Sequence, residues 1–211
     1  MIDFALKVVL AGLLGSLVGS LILARLRGGP DLRAVGSGNA GSTNAWRTHG
    51  AGFGMGVFII DAGKGWLAVR AIAPSNPGWA SLGPVFRPSP QLAPWLPVAC
   101  AAAAVAGHVY PVWFGLRGGK GMATLVGAIG GLAPILLVPL SIAWLVVLGV
   151  SGFVGLASVT SIAISAAWTA VAASDFPLTI FLLAATGFMV FTHRANFTRM
   201  RAGTEPRRRS K

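Results

Sequence analysis

With 211 residues, 55% of them hydrophobic and only 10% charged, the chain lacks the roughly 25% of charged residues that keep an ordinary globular domain in water. It reads as one integral membrane domain over residues 1–211, with no room for a second, soluble one. The net charge of +12 resembles a nucleic-acid signature, but the cations stand between apolar spans and are not interleaved with stacking aromatics on a polar surface, so membrane topology explains them better.

The chain opens with Asp3 and Lys7 ahead of a long apolar run and shows no small-x-small cleavage pattern, so residues 4–24 read as a first transmembrane helix, not a signal peptide. Gly12, Gly15, Ser16, Gly19 and Ser20 recur at three- and four-residue spacing and lay a smooth stripe suited to close helix packing in lipid. A polar loop follows over residues 25–50. The second span, residues 51–73, carries Asp61 and Lys64 on one helix face. A charge at the bilayer centre costs about 2.5–3.5 kcal/mol on insertion scales, so both are expected to face the protein interior as a structural pair. Residues 74–94 form a Pro/Ser/Gly loop whose one charge is Arg87. The third span covers residues 95–112, with Cys100 as a buried, inert thiol, and a short loop at 113–121 holds Arg117 and Lys120.

From Met122 to Phe191 the only ionisable residue is Asp175. Breakers near Pro139 and Leu140, near Ser151 and Gly152, and between Ser174 and Pro177 favour four short helices there over three long ones. The tail from His193 is strongly basic, and Arg207, Arg208, Arg209 and Lys211 read as contacts to anionic lipid. Loop 25–50 holds four Lys/Arg, loop 113–121 two and the tail seven, 13 of the chain's 17. The positive-inside rule places these three segments on the cytoplasmic side, and the tail joins the others only if an even number of spans separates it from residue 121. The expectation is therefore an all-α polytopic fold of seven transmembrane helices, N-terminus outside and C-terminus cytoplasmic.

Three segments carry the chemistry. In the first, residues 36–44, Gly36, Gly38 and Gly41 admit backbone N–H groups to an anion, Ser37, Asn39, Ser42, Thr43 and Asn44 add neutral donors, and Arg47 can fork onto phosphate oxygens. Ser42, Thr43 and Asn44 can also open a short helix whose N-terminus attracts anions. Flexible polar loops share this composition, and the closely spaced donors ending in arginine tip the balance toward binding. The second is Gly107-His108, Pro111 and residues 115–121, where Gly118, Gly119 and Gly121 flank Lys120. It is no Walker A loop, which needs four residues between its glycines and Ser/Thr after its lysine, yet membrane anchoring does not require these glycines. The third is residues 193–200 with Gly203, Thr204 and Glu205; on a helix His193 shares a face with Asn196 or Phe197, and neither His193 nor Asn196 is an anchoring charge. Neither a His/Cys/Asp/Glu metal cluster nor a G-x-S-x-G elbow occurs, so no metal or cofactor is expected. Of five acidic residues only Asp31 and Glu205 lie near the three segments, which argues against carboxylate catalysis.

Taken together, in this order and with these spans between them, residues 36–44 with Arg47, Asp61 with Lys64 and Gly65, Gly107-His108 with 118–121, and His193-Arg194 with Asn196, Arg199 and 203–205 resemble the bacterial acyl-phosphate:glycerol-3-phosphate acyltransferases, the PlsY family. The resemblance covers nearly the whole chain. It implies seven helices and transfer of a fatty acyl group from acyl phosphate to the 1-hydroxyl of glycerol 3-phosphate, giving lysophosphatidic acid and phosphate for phospholipid synthesis in the membrane. It implies that Ser37, Arg47, Lys120, His193 and Asn196 line the polar site, and that Gly36, Gly38, Asn39, Gly41, Thr43, Asn44, Gly118, Gly119, Gly121 and Ser158 serve phosphate binding. The family lacks the H-x-x-x-x-D acyltransferase motif, and here Gly54, Trp113 and Thr198 stand five residues after His49, His108 and His193. Two positions depart from the family pattern: Ser42 stands where alanine is frequent, and a serine near the end of the fifth helix falls on Gly155, with Ser158 remaining. The rival reading is a transporter of an organophosphate or other anion, which would also want spans, glycines and buried cations but would usually site them near the midplane.

Overall fold

The computed structural model describes residues 1–76, 78–172 and 175–207, and these are helical or irregular, without strands. Arg208, Arg209 and Lys211 of the basic tail, and Ser174 among the expected breakers, lie outside the described residues. Two compact units divide the chain, Met1–Leu132 and Ala133–Lys211.

The first unit begins with a departure from expectation. The first apolar run is two helices, α1 (Ile2–Gly15) and α2 (Gly19–Leu26), bent by 47° at the break. None of residues 16–18 is a helix breaker by itself; the break is stabilised from elsewhere. Lys64 Nζ donates to the carbonyl of Leu17 at 2.8 Å, and Asp61 Oδ1 accepts from the N–H of Gly19 at 3.0 Å. Backbone groups freed at membrane depth must find protein partners, and this pair supplies them. Asp61 and Lys64 are buried, 2.9 Å apart, on α4 (Ala51–Leu67), which runs on through a π-helical turn at Ala68–Ile72. They form the structural pair expected of them and fix where the first helix breaks.

Between α2 and α4 lies the short helix α3 (Ser42–His49), and after α4 come α5 (Leu96–Val109) and α6 (Met122–Leu132). The helices α1 and α5 pack together, as do α4 and α6, and glycine makes both contacts backbone-close. A Cβ on Gly15 would overlap the Ala104 backbone, and one on Gly107 the Gly12 carbonyl; in the second pair, Gly65 would strike the Thr124 carbonyl and Gly127 that of Ala62. This is the smooth stripe put to use: lipid offers no hydrophobic drive to associate, so close van der Waals approach must hold the helices. At the opposite end of α1, buried Asp3 pairs with Lys7 at 3.1 Å and accepts from Trp79 Nε1 at 2.9 Å, which ties the loop after α4 to the N-terminus.

The second unit holds α7 (Leu137–Ser151), α8 (Val154–Ala172), α9 (Phe176–Thr192) and α10 (Arg194–Arg201). With α6, the stretch 122–192 thus makes four helices, as the breakers suggested, but the first break falls at Ala133 and Pro134, not at Pro139. Ala133 lies outside the helical region, which a residue before proline avoids, and Pro139 sits in the first turn of α7, where a missing N–H costs little. Left-handed Gly152 ends α7, and Asp175 caps α9 by accepting from Leu178 N at 2.9 Å. The face of α8 that packs between α7 and α9 carries Ser158, Ser161, Ser165 and Thr169, all buried. The hydroxyls of Ser161, Ser165 and Thr169 each donate to a carbonyl of their own helix at 2.9–3.0 Å, so these three are buried without orphan donors.

Among the described residues, four continuous helices are long and apolar enough to cross a membrane: Ala51–Ile72, Ala93–Phe114, Pro134–Ser151 and Val154–Ala172. The bent pairs α1–α2 and α9–α10, the latter at 52°, qualify as broken spans, and α6 is an apolar helix of 11 residues.

Candidate functional site

The first glycine segment is shaped by one buried side chain. Asn44, 2% exposed, donates from Nδ2 to the carbonyls of Leu32 (3.1 Å) and Val35 (3.0 Å), and its Oδ1 accepts from Ser37 N at 2.9 Å. Its amide is thereby committed to the loop. Gly36 has φ 60°, and a Cβ there would run into Asn44 Oδ1, so both backbone conformation and space demand glycine. The Gly38 amide bonds the Val35 carbonyl at 3.1 Å and is likewise used inside the turn. Gly41 then caps α3, which starts at Ser42, the residue from which a short helix was expected. No side chain caps that N-terminus. Its first N–H groups, beside half-buried Asn39, Gly41, Ser42 and Thr43, carry the partial positive charge of a helix start. Ser37 is exposed, and Arg47 is exposed in the last turn of α3.

The second segment folds back over the end of α5. Gly118 N bonds the Val109 carbonyl at 3.0 Å and Gly119 N that of His108 at 3.2 Å. A Cβ at Gly118 would strike the His108 carbonyl; at Gly119 it would strike His108 Nε2 and come within 3.1 Å of the Ala40 carbonyl. The two glycine segments therefore touch, at Ala40 and Gly119, and the Ser20 hydroxyl holds the Ala40 carbonyl from below at 2.9 Å. Half-buried Lys120 and buried Gly121, φ 89°, lead directly into α6. The two loops meet and each leads into a helix start, whose partial positive charge attracts anions; Lys120 stands just before α6, and Arg47 lies in the last turn of α3.

Beneath the contact lies His108, a residue the sequence marked only by its place in the second segment. Its Nδ1 is 2.9 Å from Lys64 Nζ and 3.4 Å from Asp61 Oδ1. The Leu17 carbonyl, Asp61 and His108 together use the three ammonium protons of Lys64, which makes His108 Nδ1 the acceptor. Sequence spacing cannot reveal this link, because 44 residues separate the two side chains. Asp31, beside the first segment, is paired with Arg33 at 2.6 Å, and that guanidinium holds its carboxyl below the usual carboxylate range.

In the second unit, His193 sits at the bend between α9 and α10 and is buried. Its Nδ1 lies 2.9 Å from the Met189 carbonyl. A carbonyl only accepts, so Nδ1 carries a proton and donates it to that carbonyl. Asn196, also buried, follows in the first turn of α10. Its Nδ2 donates to Glu205 Oε1 at 2.5 Å, and Arg199 Nε donates to Glu205 Oε2 at 2.7 Å. The one acid of the third segment thus serves as an acceptor that orients Asn196. A Cβ on Gly155 would come within 3.1 Å of Asn196, so the departure from serine makes room for that side chain. Ser158 lies one turn further along α8, and its hydroxyl is 3.4 Å from Trp144 Nε1.

Comparison with known proteins identifies the fold and the family. The family model described as Glycerol-3-phosphate acyltransferase matches residues 5–203. The glycerol-3-phosphate acyltransferase of Geobacillus kaustophilus is 37% identical over 203 residues, 96% of this chain and 95% of that one. The protein of the same name from Azotobacter vinelandii is 38% identical over 200 residues, 95% and 97% of the two chains. Among solved structures, PlsY, described as an integral membrane glycerol 3-phosphate acyltransferase in its glycerol 3-phosphate form, matches with a TM-score of 0.83 at 30% identity, over 98% of this chain and 96% of that one. Its lysophosphatidic acid form matches with a TM-score of 0.80 at 29% identity, over 97% and 94%.

Proposed function

This chain belongs to the glycerol-3-phosphate acyltransferase family, and we propose that it takes a fatty acyl group from acyl phosphate and places it on the 1-hydroxyl of glycerol 3-phosphate. It is an integral membrane acyltransferase. The observation that carries the donor assignment is the meeting of the two glycine segments at Ala40 and Gly119, each running into a helix start and each bearing a cation, Arg47 or Lys120. Both proposed substrates bear a phosphate, and one segment for each is the economical reading.

The glycerol oxygen bonds the acyl carbon, the bond from that carbon to the phosphate oxygen breaks, and the hydroxyl proton leaves with the phosphate. Charge grows on the carbonyl oxygen and on the departing phosphate, and fixed amides and cations stabilise both without a strong protein base. In this reading Lys120 and Gly121, with the N-terminus of α6, hold one phosphate, and Ser37, Asn39, Gly41, Thr43 and Arg47, with the N-terminus of α3, hold the other. Gly36, Gly38, Gly118 and Gly119 act through the course of the backbone, and Asn44 through the loop it shapes. His193 meets the glycerol hydroxyl through Nε2, and Asn196, oriented by Glu205, steadies the same group. We assign Ser158 to helix packing beside Trp144. A substrate phosphate takes the hydroxyl proton, and His193 is the competing base.

For topology we propose seven spans: the four continuous helices, the two broken ones and α6. The N-terminus is outside, and the C-terminus and the site are on the cytoplasmic side of the plasma (inner) membrane. The 13 of 17 cations in the loops 25–50 and 113–121 and in the tail support this. One experiment tests the function: purified protein given acyl phosphate and labelled glycerol 3-phosphate. Labelled lysophosphatidic acid is expected. No transfer, together with uptake of glycerol 3-phosphate into proteoliposomes, would make the chain a transporter.

A further inference from the structure

Asp31 and Arg33 stand in the first basic loop but outside every group given a part in the reaction. Arg33 engages four of its five N–H donors. Its Nε lies 3.0 Å from both carboxylate oxygens of Asp31 and its Nη2 2.6 Å from Oδ2, while Nη1 crosses to the second loop and reaches the carbonyls of Phe114 at 2.8 Å and Arg117 at 2.9 Å. Those two carbonyls enclose Gly115 and Leu116, both left-handed, with φ 66° and 58°. Leu116 is the only non-glycine with positive φ among the described residues, a conformation a leucine side chain disfavours. Its N–H is held by the Pro111 carbonyl at 2.9 Å, and the guanidinium fixes the carbonyls on either side.

On its own side, Asp31 Oδ1 also accepts from Arg33 N at 2.8 Å and closes the 3₁₀ turn Leu32–Ala34. The Leu32 and Val35 carbonyls of that turn are the ones that hold Asn44, and Asn44 in turn holds Ser37. One guanidinium therefore joins the turn that shapes the first glycine segment to the turn that leads into the second.

We propose that Arg33, braced by Asp31, is a clasp that fixes the two phosphate-binding loops at one separation, and that the two are positioning residues for substrate binding. The inference rests on the phosphate-binding reading of those loops. A clasp and a mere charge make opposite forecasts here. By charge alone, neutralising Asp31, the one acid in either loop, makes the region more positive and tightens anion binding. A clasp that loses its brace binds anions less well. Likewise Arg33→Lys keeps the charge but cannot satisfy four oxygens from a fixed planar fork.

The test is acyl-transfer kinetics on Asp31→Asn, Asp31→Glu and Arg33→Lys, with amide hydrogen exchange followed over residues 112–121. Asp31→Asn and Arg33→Lys are each expected to raise KM for glycerol 3-phosphate about tenfold while kcat moves less than about threefold. Asp31→Glu should recover part of the loss. Exchange over 112–121 should quicken in Asp31→Asn, although that substitution lies in the other loop. A KM at or below the unsubstituted value in Asp31→Asn, or unchanged behaviour in Arg33→Lys, overturns the clasp. If the unsubstituted protein transferred no acyl group at all, the reaction assignment would fall, and the exchange data would still decide: unaltered exchange in both variants rejects the clasp, and faster exchange supports it.

Discussion

At the scale of single residues, the groups that matter most at the first loop are those that never need to touch a phosphate. Asn44 holds three backbone groups of the loop in place. Replacing it by alanine leaves Ser37 N and the Leu32 carbonyl to find other partners, while the Val35 carbonyl keeps the Gly38 amide. We expect Asn44→Ala to lower kcat/KM about 30-fold or more, at about 1 kcal/mol or so for each buried polar group left unpaired. Asn44→Asp should do no better, since a carboxylate can accept from Ser37 but faces the Leu32 and Val35 carbonyls with no proton to offer. Steady-state kinetics on both variants checks this; activity retained in Asn44→Asp would mean that the acceptor alone sets the loop. A second prediction concerns His193. If a substrate phosphate takes the proton, His193→Gln, which keeps a hydrogen-bonding side chain without a base, should act mainly on KM. A loss of about 10²-fold or more in kcat with substrate binding intact would instead make His193 the base.

Among elements, glycine separates contacts from empty surface. Gly65 and Gly127 face carbonyls across the α4–α6 contact, whereas a Cβ on Gly63, on the same helix α4, would meet nothing within 4 Å. We expect Gly65→Ala and Gly127→Ala each to destabilise by about 1–3 kcal/mol or more, because backbone cannot yield as a side chain can. Gly63→Ala should be neutral or stabilising by up to about 1 kcal/mol through helix propensity. Thermal unfolding in detergent separates the two cases, and an equal response at Gly63 and Gly65 would refute the packing account. The same elements show what was legible in the sequence. The small-residue stripe of α1 and the four helices after residue 121 were readable, because each rests on local spacing, breakers or a local cap; the start of α3 at Ser42 was readable from its Ser-Thr-Asn composition, although no side chain caps it. The break between α1 and α2 was not, because it is held by Asp61 and Lys64, 42 and 47 residues from the groups they satisfy. In the proposed site, the need for glycine was legible, since Gly36, Gly118 and Gly119 stand where a Cβ would strike a neighbour. The use of the Gly38, Gly118 and Gly119 amides inside the fold, the engagement of Asn44, and the Arg33 link to the second loop depend on tertiary contacts that spacing does not encode.

For the molecule as a whole, the sharpest question is whether α6 crosses the membrane. Its 11 residues span about 16 Å, well short of a hydrocarbon core of about 30 Å. On length alone it would be re-entrant, residues 113–121 and 133–136 would share a side, and the tail would lie outside with its seven cations, against the positive-inside rule. Two observations favour crossing. Thr124, Leu125, Gly127, Ala128, Ile129 and Gly131 are buried, so α6 is sheathed by protein, and irregular backbone at either end can sit at membrane depth where lipid would not tolerate it. The charge count also needs an even number of spans after residue 121. Because the only native cysteine, Cys100, is fully buried, single cysteines at Leu26, Ser89, Ile135 and Gly203 can be read one at a time with a membrane-impermeant thiol reagent. Crossing predicts labelling from outside at 89 and 135 and from inside at 26 and 203. A re-entrant α6 moves 135 to the inside and 203 to the outside while leaving 26 and 89 as they were, so the second unit's labels alone decide between six spans and seven.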